Sequence, residues 1–176
     1  MFSWRISKYN PLYRDKTGAY KKDEWTSFYD IGKIFDGKEL TYDTYIATEN
    51  AYVEAVVSFM DSTKITSLTV KSLEKHSKDI QFTCSDTHHH NEMEDLYKKI
   101  NNGIVLEIQD IVFLCRLILR DHLWCKLENN PLMFIHFGYD YYMYIGSTNK
   151  CESATRSVEK TGLFVEKFES PYYTVD

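Results

Sequence analysis

Four ionisable side chains that could bind an anion or move a proton occur in the second half of the sequence. Arg116 and Arg120 are four residues apart within a predicted apolar helix, His122 follows that helix, and His136 lies on a later predicted strand. Charged groups on a largely buried helix usually pair with carboxylates, so structural ion pairing is the first interpretation and a recessed anion-binding or active site is the alternative. The candidate carboxylates for these ion pairs are Glu107, Asp110 and Asp121.

Cys125 and a nearby histidine, His122 or His136, could in principle form a nucleophile and base pair. On a strand over 123–128, however, Cys125 shares one face with apolar residues and His122 lies on the opposite face. Cys125 is therefore predicted to belong to the core, and the sequence shows no third group that would orient such a pair. No GxGxxG, P-loop, HExxH or GxSxG motif is present, so no catalytic residue is assigned.

A polar segment contains His88, His89 and His90, with Cys84 and His76 upstream. Imidazole and thiolate are zinc ligands, but adjacent histidines cannot readily all face one ion. No second pair of ligands stands at the spacing of a zinc motif. The segment is therefore predicted to be a solvated loop, and neither a metal nor a cofactor is expected.

Aromatic residues are concentrated in residues 139–144, where strand alternation places rings on both faces of a sheet. One of these faces must be core. The other is either covered by the irregular N-terminal segment or left to meet a partner, since aromatic faces suit both roles. The residues predicted to contact a partner are Asp140, Tyr142, Tyr144, Trp124 and Glu128.

The composition limits the classes of partner. The 176 residues fit one domain (1–176), with 43% hydrophobic and 27% charged residues as in globular proteins. Aromatic residues make up 15% of the chain, and tyrosine contributes 14 residues. A formal net charge of −5 provides no basic field for binding nucleic acid directly, but it is compatible with a basic protein partner.

The sequence also predicts a cytoplasmic protein without membrane contact. Residues 1–5 carry no apolar segment of a signal peptide, and no stretch approaches the roughly 20 apolar residues that span a bilayer. The four cysteines are widely spaced without a CxxC pair, which is typical of reduced thiols.

Hydrophobic periodicity predicts an α+β fold with a mainly antiparallel sheet, made of a C-terminal meander plus a returning strand and packed against three to four helices. An irregular arm is predicted at about 9–40. In the first long helix, Glu49 is the one residue that interrupts the apolar face, and the last helix is opened by a capping box of Asn149 and Glu152. The predicted strands are 2–7, 67–73, 123–128, 132–137, 141–146 and 163–168. The predicted helices are 41–60, 92–100, 107–121 and 149–160, with a loop at 74–91.

Three stretches of the sequence, which together extend over most of the chain, resemble small bacterial proteins that act as immunity proteins in polymorphic toxin and contact-dependent growth inhibition systems. They are Trp4 to Pro11 with Asp23 to Ser27, Leu119 to Leu127, and Phe137 to Gly146. The resemblance implies a protein that binds a cognate toxin domain, often a nuclease, and blocks it. It transfers no active-site residues and assigns no interface. The leading hypothesis is therefore a toxin-neutralising immunity protein.

Two alternatives remain open at the level of the sequence. One is a small cytoplasmic enzyme with an Arg/His pocket built from Arg116, Arg120, His122 or His136, whose pKa values could be perturbed near the end of an apolar helix. The other is an oligomeric scaffold that buries its tyrosine face against a second copy. Convergence of the four side chains in a deep pocket would favour the enzyme, whereas their burial in ion pairs would favour the binding protein.

Overall fold

The computed structural model of the chain describes residues 1–77 and 89–173. The helices are α1 (Tyr42–Thr63), α2 (His90–Lys99), α3 (Ile108–Leu119) and α4 (Glu152–Lys160). The strands are β1 (Phe2–Ser7), β2 (Ile34–Phe35), β3 (Lys38–Glu39), β4 (Ser67–Lys75), β5 (Val105–Glu107), β6 (Leu123–Asn129), β7 (Met133–Phe137), β8 (Met143–Ser147) and β9 (Phe164–Lys167).

Seven of these strands form one sheet in the order β5-β4-β6-β7-β8-β1-β9, and every neighbouring pair is antiparallel. The predicted meander is confirmed as β6, β7 and β8. The N-terminal strand β1 lies between β8 and the returning strand β9, so the two ends of the chain meet in the sheet. The predicted α+β class with an antiparallel sheet is therefore confirmed.

The helices cover one face of the sheet, which we call the inner face. Helix α1 packs against α3 and α4, and α2 packs against α3. Leu127, Ile135 and Ile145 stand side by side in the central strands and are fully buried on this face. Burial of an aliphatic side chain of this size contributes about 1.5–3 kcal/mol, so the inner face forms the main hydrophobic core.

The opposite, outer face of the central strands is covered by residues 168–173, which we call the C-terminal strap. The Tyr172 ring lies 5.7 Å from Trp124 and 6.0 Å from Tyr144. Lys126 Nζ donates a hydrogen bond of 2.7 Å to the carbonyl of Tyr172. The strap thus covers the second aromatic face at these positions, where the sequence predicted either the N-terminal arm or a partner.

The N-terminal arm, residues 9–40, contains short 3-10 turns at Pro11–Tyr13 and Phe28–Asp30 and the hairpin of β2 and β3. Trp25 and Phe28 are buried, and their rings lie 5.7 and 5.0 Å from Tyr45 of α1. At the sheet, Arg14 Nη1 donates a 2.9 Å hydrogen bond to Tyr142 Oη. The arm is therefore fastened to both the helices and the sheet by its aromatic and cationic side chains.

Two element starts differ from the prediction. Helix α4 begins after Cys151, which adopts a left-handed conformation at φ 47° and forms no side-chain cap, so the predicted capping box of Asn149 is wrong. Strand β8 begins at Met143 rather than at 141, because Asp140 and Tyr141 both adopt positive φ and turn the chain.

The prediction of a loop at 74–91 is wrong at both of its ends. Strand β4 continues to Lys75 and α2 already begins at His90. Residues 78–88, which include Cys84 and His88, lie outside the described residues.

We predict that Gly146→Ala lowers the free energy of unfolding by about 1–3 kcal/mol through overpacking. Gly146 stands opposite Phe134 in β8 and β7, and a Cβ at this position would overlap the Phe134 ring. The measurement is urea denaturation of the two single variants and of the double variant with Phe134→Leu. The shorter leucine should relieve the overlap, so additive effects at the two positions would contradict the prediction.

Candidate functional site

Arg116 and Arg120 of α3 form a buried ion cluster with Glu49 of α1. Arg120 donates two hydrogen bonds to the Glu49 carboxylate, from Nε to Oε2 at 2.7 Å and from Nη2 to Oε1 at 2.8 Å. Arg116 Nη1 donates to the same Oε1, and its Nη2 donates to Asn50 Oδ1 at 2.9 Å. Glu49 and Arg120 are fully buried. The cluster joins α1 to α3 by charge-assisted hydrogen bonds.

The predicted ion-pair partners of these arginines are wrong. Ion pairing itself is observed, but the carboxylate comes from Glu49, more than sixty residues away in the sequence, and not from Glu107, Asp110 or Asp121. The candidate carboxylates lie on α3 or next to its ends. The packing of α1 on α3 instead brings the Glu49 carboxylate within hydrogen-bonding distance of both arginines. The available signal was the single carboxylate on the apolar face of α1, which requires a cation when that face is buried.

The four side chains of the predicted anion or active site do not meet. Arg116 and Arg120 lie between α1 and α3, on the inner side of the sheet. His136 belongs to the outer face, where its Nδ1 lies 2.9 Å from Ser170 Oγ of the strap. His122 lies in the loop after α3, and its carbonyl accepts a hydrogen bond from the His76 backbone. No common pocket is formed by this set.

His136 is fully buried on the outer face, and this burial lowers its pKa to about 3, with a smaller contribution from nearby Lys126. Its Nε2 lies 3.5 Å from Glu128 Oε1, and its ring stacks on Phe134 at 4.4 Å. The imidazole is therefore neutral near pH 7 and acts as a packed polar ring beneath the strap.

Cys125 lies in the core, as predicted. It is fully buried on the inner face of β6, and burial raises its pKa to about 12. A thiol with this pKa remains protonated at neutral pH and is a poor nucleophile.

The five predicted partner-contact residues are distributed over different surroundings. Tyr144 is buried beneath the strap, and Tyr142 is half-buried beside the arm. Trp124 is half-buried and donates its indole N–H to the Phe137 carbonyl at 2.7 Å. Glu128 is half-buried near His136, whereas Asp140 is exposed. Of these five, Asp140, Trp124 and Tyr142 line one cleft at the end of the sheet.

The turn between β7 and β8 gives this cleft a fixed wall. Asp140 and Tyr141 adopt φ values of 54° and 60°, and Tyr142 N donates to Tyr139 O at 3.1 Å. These are the φ signs of a type I′ turn, which favours Asn and Gly rather than a bulky residue. Tyr141 is held there because its ring is buried and its hydroxyl donates to the Leu119 carbonyl at 2.7 Å.

The cleft has a volume of about 430 Å³ and lies between the arm, the end of α3 and the turn. We call it the acidic cleft. Three carboxylates and four aromatic rings with access to solvent contribute to its lining; they are Glu74, Asp121, Asp140, Trp124, Tyr139, Tyr142 and Tyr172. Among the described residues that line it there is no lysine or arginine. The arrangement combines negative charge with aromatic surface, which suits a cationic group.

Glu74 reaches the cleft because β4 carries a bulge. The register of β4 against β6 shifts between Lys71 and Glu74, and Ser72 within the shift has a φ of 52°. Glu74 then stands opposite Trp124. Bulges commonly redirect a side chain at a site of this kind.

Sequence patterns do not predict that Glu74, Tyr139 and Asp121 line the cleft. Tyr139 lies in the turn before β8 and is 86% exposed there. No local pattern indicates Glu74, since its place depends on a bulge within an ordinary alternating strand.

Within residues 1–77 and 89–173, no group of three or more His, Cys, Asp or Glu side chains is arranged to hold a metal ion. In the same residues, no helix combines the length and apolarity needed to cross a bilayer.

Comparison of the chain with protein-family models, with curated proteins and with solved structures gives no match.

We predict that Glu49→Gln lowers the free energy of unfolding by about 3–5 kcal/mol, because it removes the negative charge that two buried guanidinium groups share. The measurement is equilibrium urea denaturation. Glu54→Gln, an exposed change on the same helix, is the matched control and should alter stability by less than about 0.5 kcal/mol. Equal effects of the two substitutions would contradict the prediction.

The pKa of His136 predicts that the protein loses stability on acidification. An unfolded histidine binds a proton near pH 6.5, whereas folded His136 remains neutral to about pH 3. Between these values the unfolded state holds more protons, so the free energy of unfolding falls as the pH is lowered, by about 1.4 kcal/mol per pH unit for this one group.

Urea denaturation between pH 4 and about 6.5 tests this linkage in the wild type, in His136→Leu and in His136→Gln. In both variants the free energy of unfolding should depend less steeply on pH than in the wild type. Their absolute stabilities differ because only glutamine retains a polar group near Ser170. An unchanged slope in both variants would show that His136 does not carry the effect.

Proposed function

We propose that this protein is a toxin-neutralising immunity protein that binds and blocks a basic toxin domain in the bacterial cytoplasm. The observation that carries the proposal is the acidic cleft, where carboxylates and aromatic rings line one concave surface. Tyrosine and tryptophan are the residues that most often dominate the energy of a protein interface. Carboxylates around them favour a partner of opposite charge.

The electrostatics support a basic partner. The chain carries a formal net charge of −5. Within the described residues Glu74 and Asp140 take part in no salt bridge, and Lys8, which interacts electrostatically with Asp140, forms its salt bridge with Glu24. Opposite charge raises the association rate, and this contribution weakens with added salt. A nuclease domain is one toxin class that fits, because it needs a basic surface to hold nucleic acid.

The structure offers less support for the alternatives. An Arg/His enzyme pocket requires four side chains to converge, but two are bound to Glu49 and His136 lies beneath the strap. A scaffold that buries its tyrosine face against a second copy requires that face to be open, whereas Tyr144 is already covered. The acidic cleft therefore supports a protein-binding function better than an enzyme or an oligomeric scaffold.

We predict that co-expression with the toxin encoded immediately upstream restores growth and yields a complex that survives purification. Tyr139→Ala should weaken the complex at least about tenfold, as expected for a well-placed interface aromatic residue, and should leave the fold intact because the ring is 86% exposed. Affinity is measured by titration calorimetry.

Leu12→Ala is the matched control, because Leu12 on the arm is also 86% exposed but does not line the cleft. It should bind as the wild type does. Absence of both growth rescue and complex formation at micromolar concentration would overturn the proposed function.

A further inference from the structure

We infer that the acidic cleft is a receptor for an arginine side chain presented by the protein partner, an inference that deepens and rests on the proposed function. Arginine combines a permanent positive charge with a planar guanidinium group that stacks on aromatic rings and forms bidentate hydrogen bonds with carboxylates. The cleft offers both kinds of contact within one cavity of about 430 Å³, a size within the range of binding pockets.

The carboxylates come from three separate elements and converge on the cleft. Glu74 is directed there by the bulge in β4, Asp121 follows α3, and Asp140 lies in the turn before β8. Asp121 contacts His76 at 3.3 Å, whereas Glu74 and Asp140 are not ion-paired with a described residue. The described lining therefore presents carboxylates without a lysine or arginine to neutralise them.

The rings are placed to accept a guanidinium group. Trp124 is fixed by its hydrogen bond to the Phe137 carbonyl, and Tyr172 lies 5.7 Å from it. Tyr139 stands at the edge with 86% of its surface exposed. A cation over the face of such a ring is attracted by the negative charge density of its π-system, more strongly when the cation is desolvated.

The same molecule already uses this combination for one of its own arginines. Arg5 lies 4.2 Å above the ring of Phe168 while its Nε and Nη2 bind Glu166 at 3.1 and 2.9 Å. That pair fastens β1 to β9 beside the strap. The acidic cleft offers a comparable ring and carboxylate environment, but with no arginine of the described chain in its lining.

The cleft is also preorganised. Tyr141 has a φ of 60°, which is unfavourable for a bulky residue. Its buried ring and the hydrogen bond from its hydroxyl to the Leu119 carbonyl maintain this conformation. Strained backbone of this kind is concentrated at binding sites, where the surrounding structure holds it. A wall that is rigid before binding reduces the entropy cost of receiving a side chain.

The test is an NMR titration of the full chain with N-acetyl-arginine amide. Its neutral isostere N-acetyl-citrulline amide and the N-acetyl-lysine amide are titrated in parallel. The indole N–H of Trp124, assigned with Trp124→Phe, is the readout. We expect saturable shifts of this resonance with the arginine compound. The other two should bind at least about tenfold more weakly, because citrulline lacks the positive charge and lysine lacks the planar guanidinium group.

The matched variants are Glu74→Gln with Asp140→Asn, and Glu54→Gln with Glu159→Gln, which remove the same charge from exposed sites outside the cleft. Only the first pair should weaken binding of the arginine compound. Equal loss in both pairs, equal binding of citrulline, or equal binding of lysine would overturn the inference.

The same variants separate this inference from the proposed function. If the wild type binds the toxin and the cleft pair binds it with unchanged affinity, the immunity function stands and the arginine receptor is wrong. If no toxin complex forms, the proposed function fails, while the titration still decides whether the cleft recognises a guanidinium group.

Discussion

The carboxylate of Glu49 determines how the helical layer is assembled. Two guanidinium groups from α3 bind it in the buried space between α1 and α3, and a buried charge is tolerated only where its partners are well placed. This fixes the end of α3, where the Leu119 carbonyl accepts hydrogen bonds from the hydroxyls of Tyr45 and Tyr141. Asp121 follows directly, so the ion cluster and one wall of the cleft are parts of one rigid assembly.

Many of the tyrosine side chains pack inside the protein. Tyr45, Tyr52 and Tyr141 are buried and satisfy their hydroxyls with backbone groups or with one another. Tyr144 fills the space under the strap. Tyrosine suits these places because it brings both apolar area and a hydrogen-bonding tip. Tyr139, by contrast, projects into solvent at the edge of the cleft.

Local periodicity predicted the elements well, because each strand of the meander has one apolar side and α1 and α3 have continuous apolar faces. It could not predict which elements meet. The partner of Arg120 is distant in sequence, the cover of Tyr144 comes from the chain's last segment, and Glu74 enters the cleft through a register shift. Each of these is a long-range packing result, for which a single sequence carries little signal. The same limit applies to the predicted contact set, of which Asp140, Trp124 and Tyr142 reach the cleft while Tyr144 and Glu128 do not.

The C-terminal strap is held on the outer face largely by its side chains, through Ser170 on His136 and the rings of Tyr172 and Tyr173 on Trp124 and Phe134. Its residues lie outside the named strands, and Tyr172 also forms part of the cleft wall. Because the strap adds no strand to the sheet, a substitution at Tyr172 would reshape the wall of the cleft while the strand pairing stays unchanged.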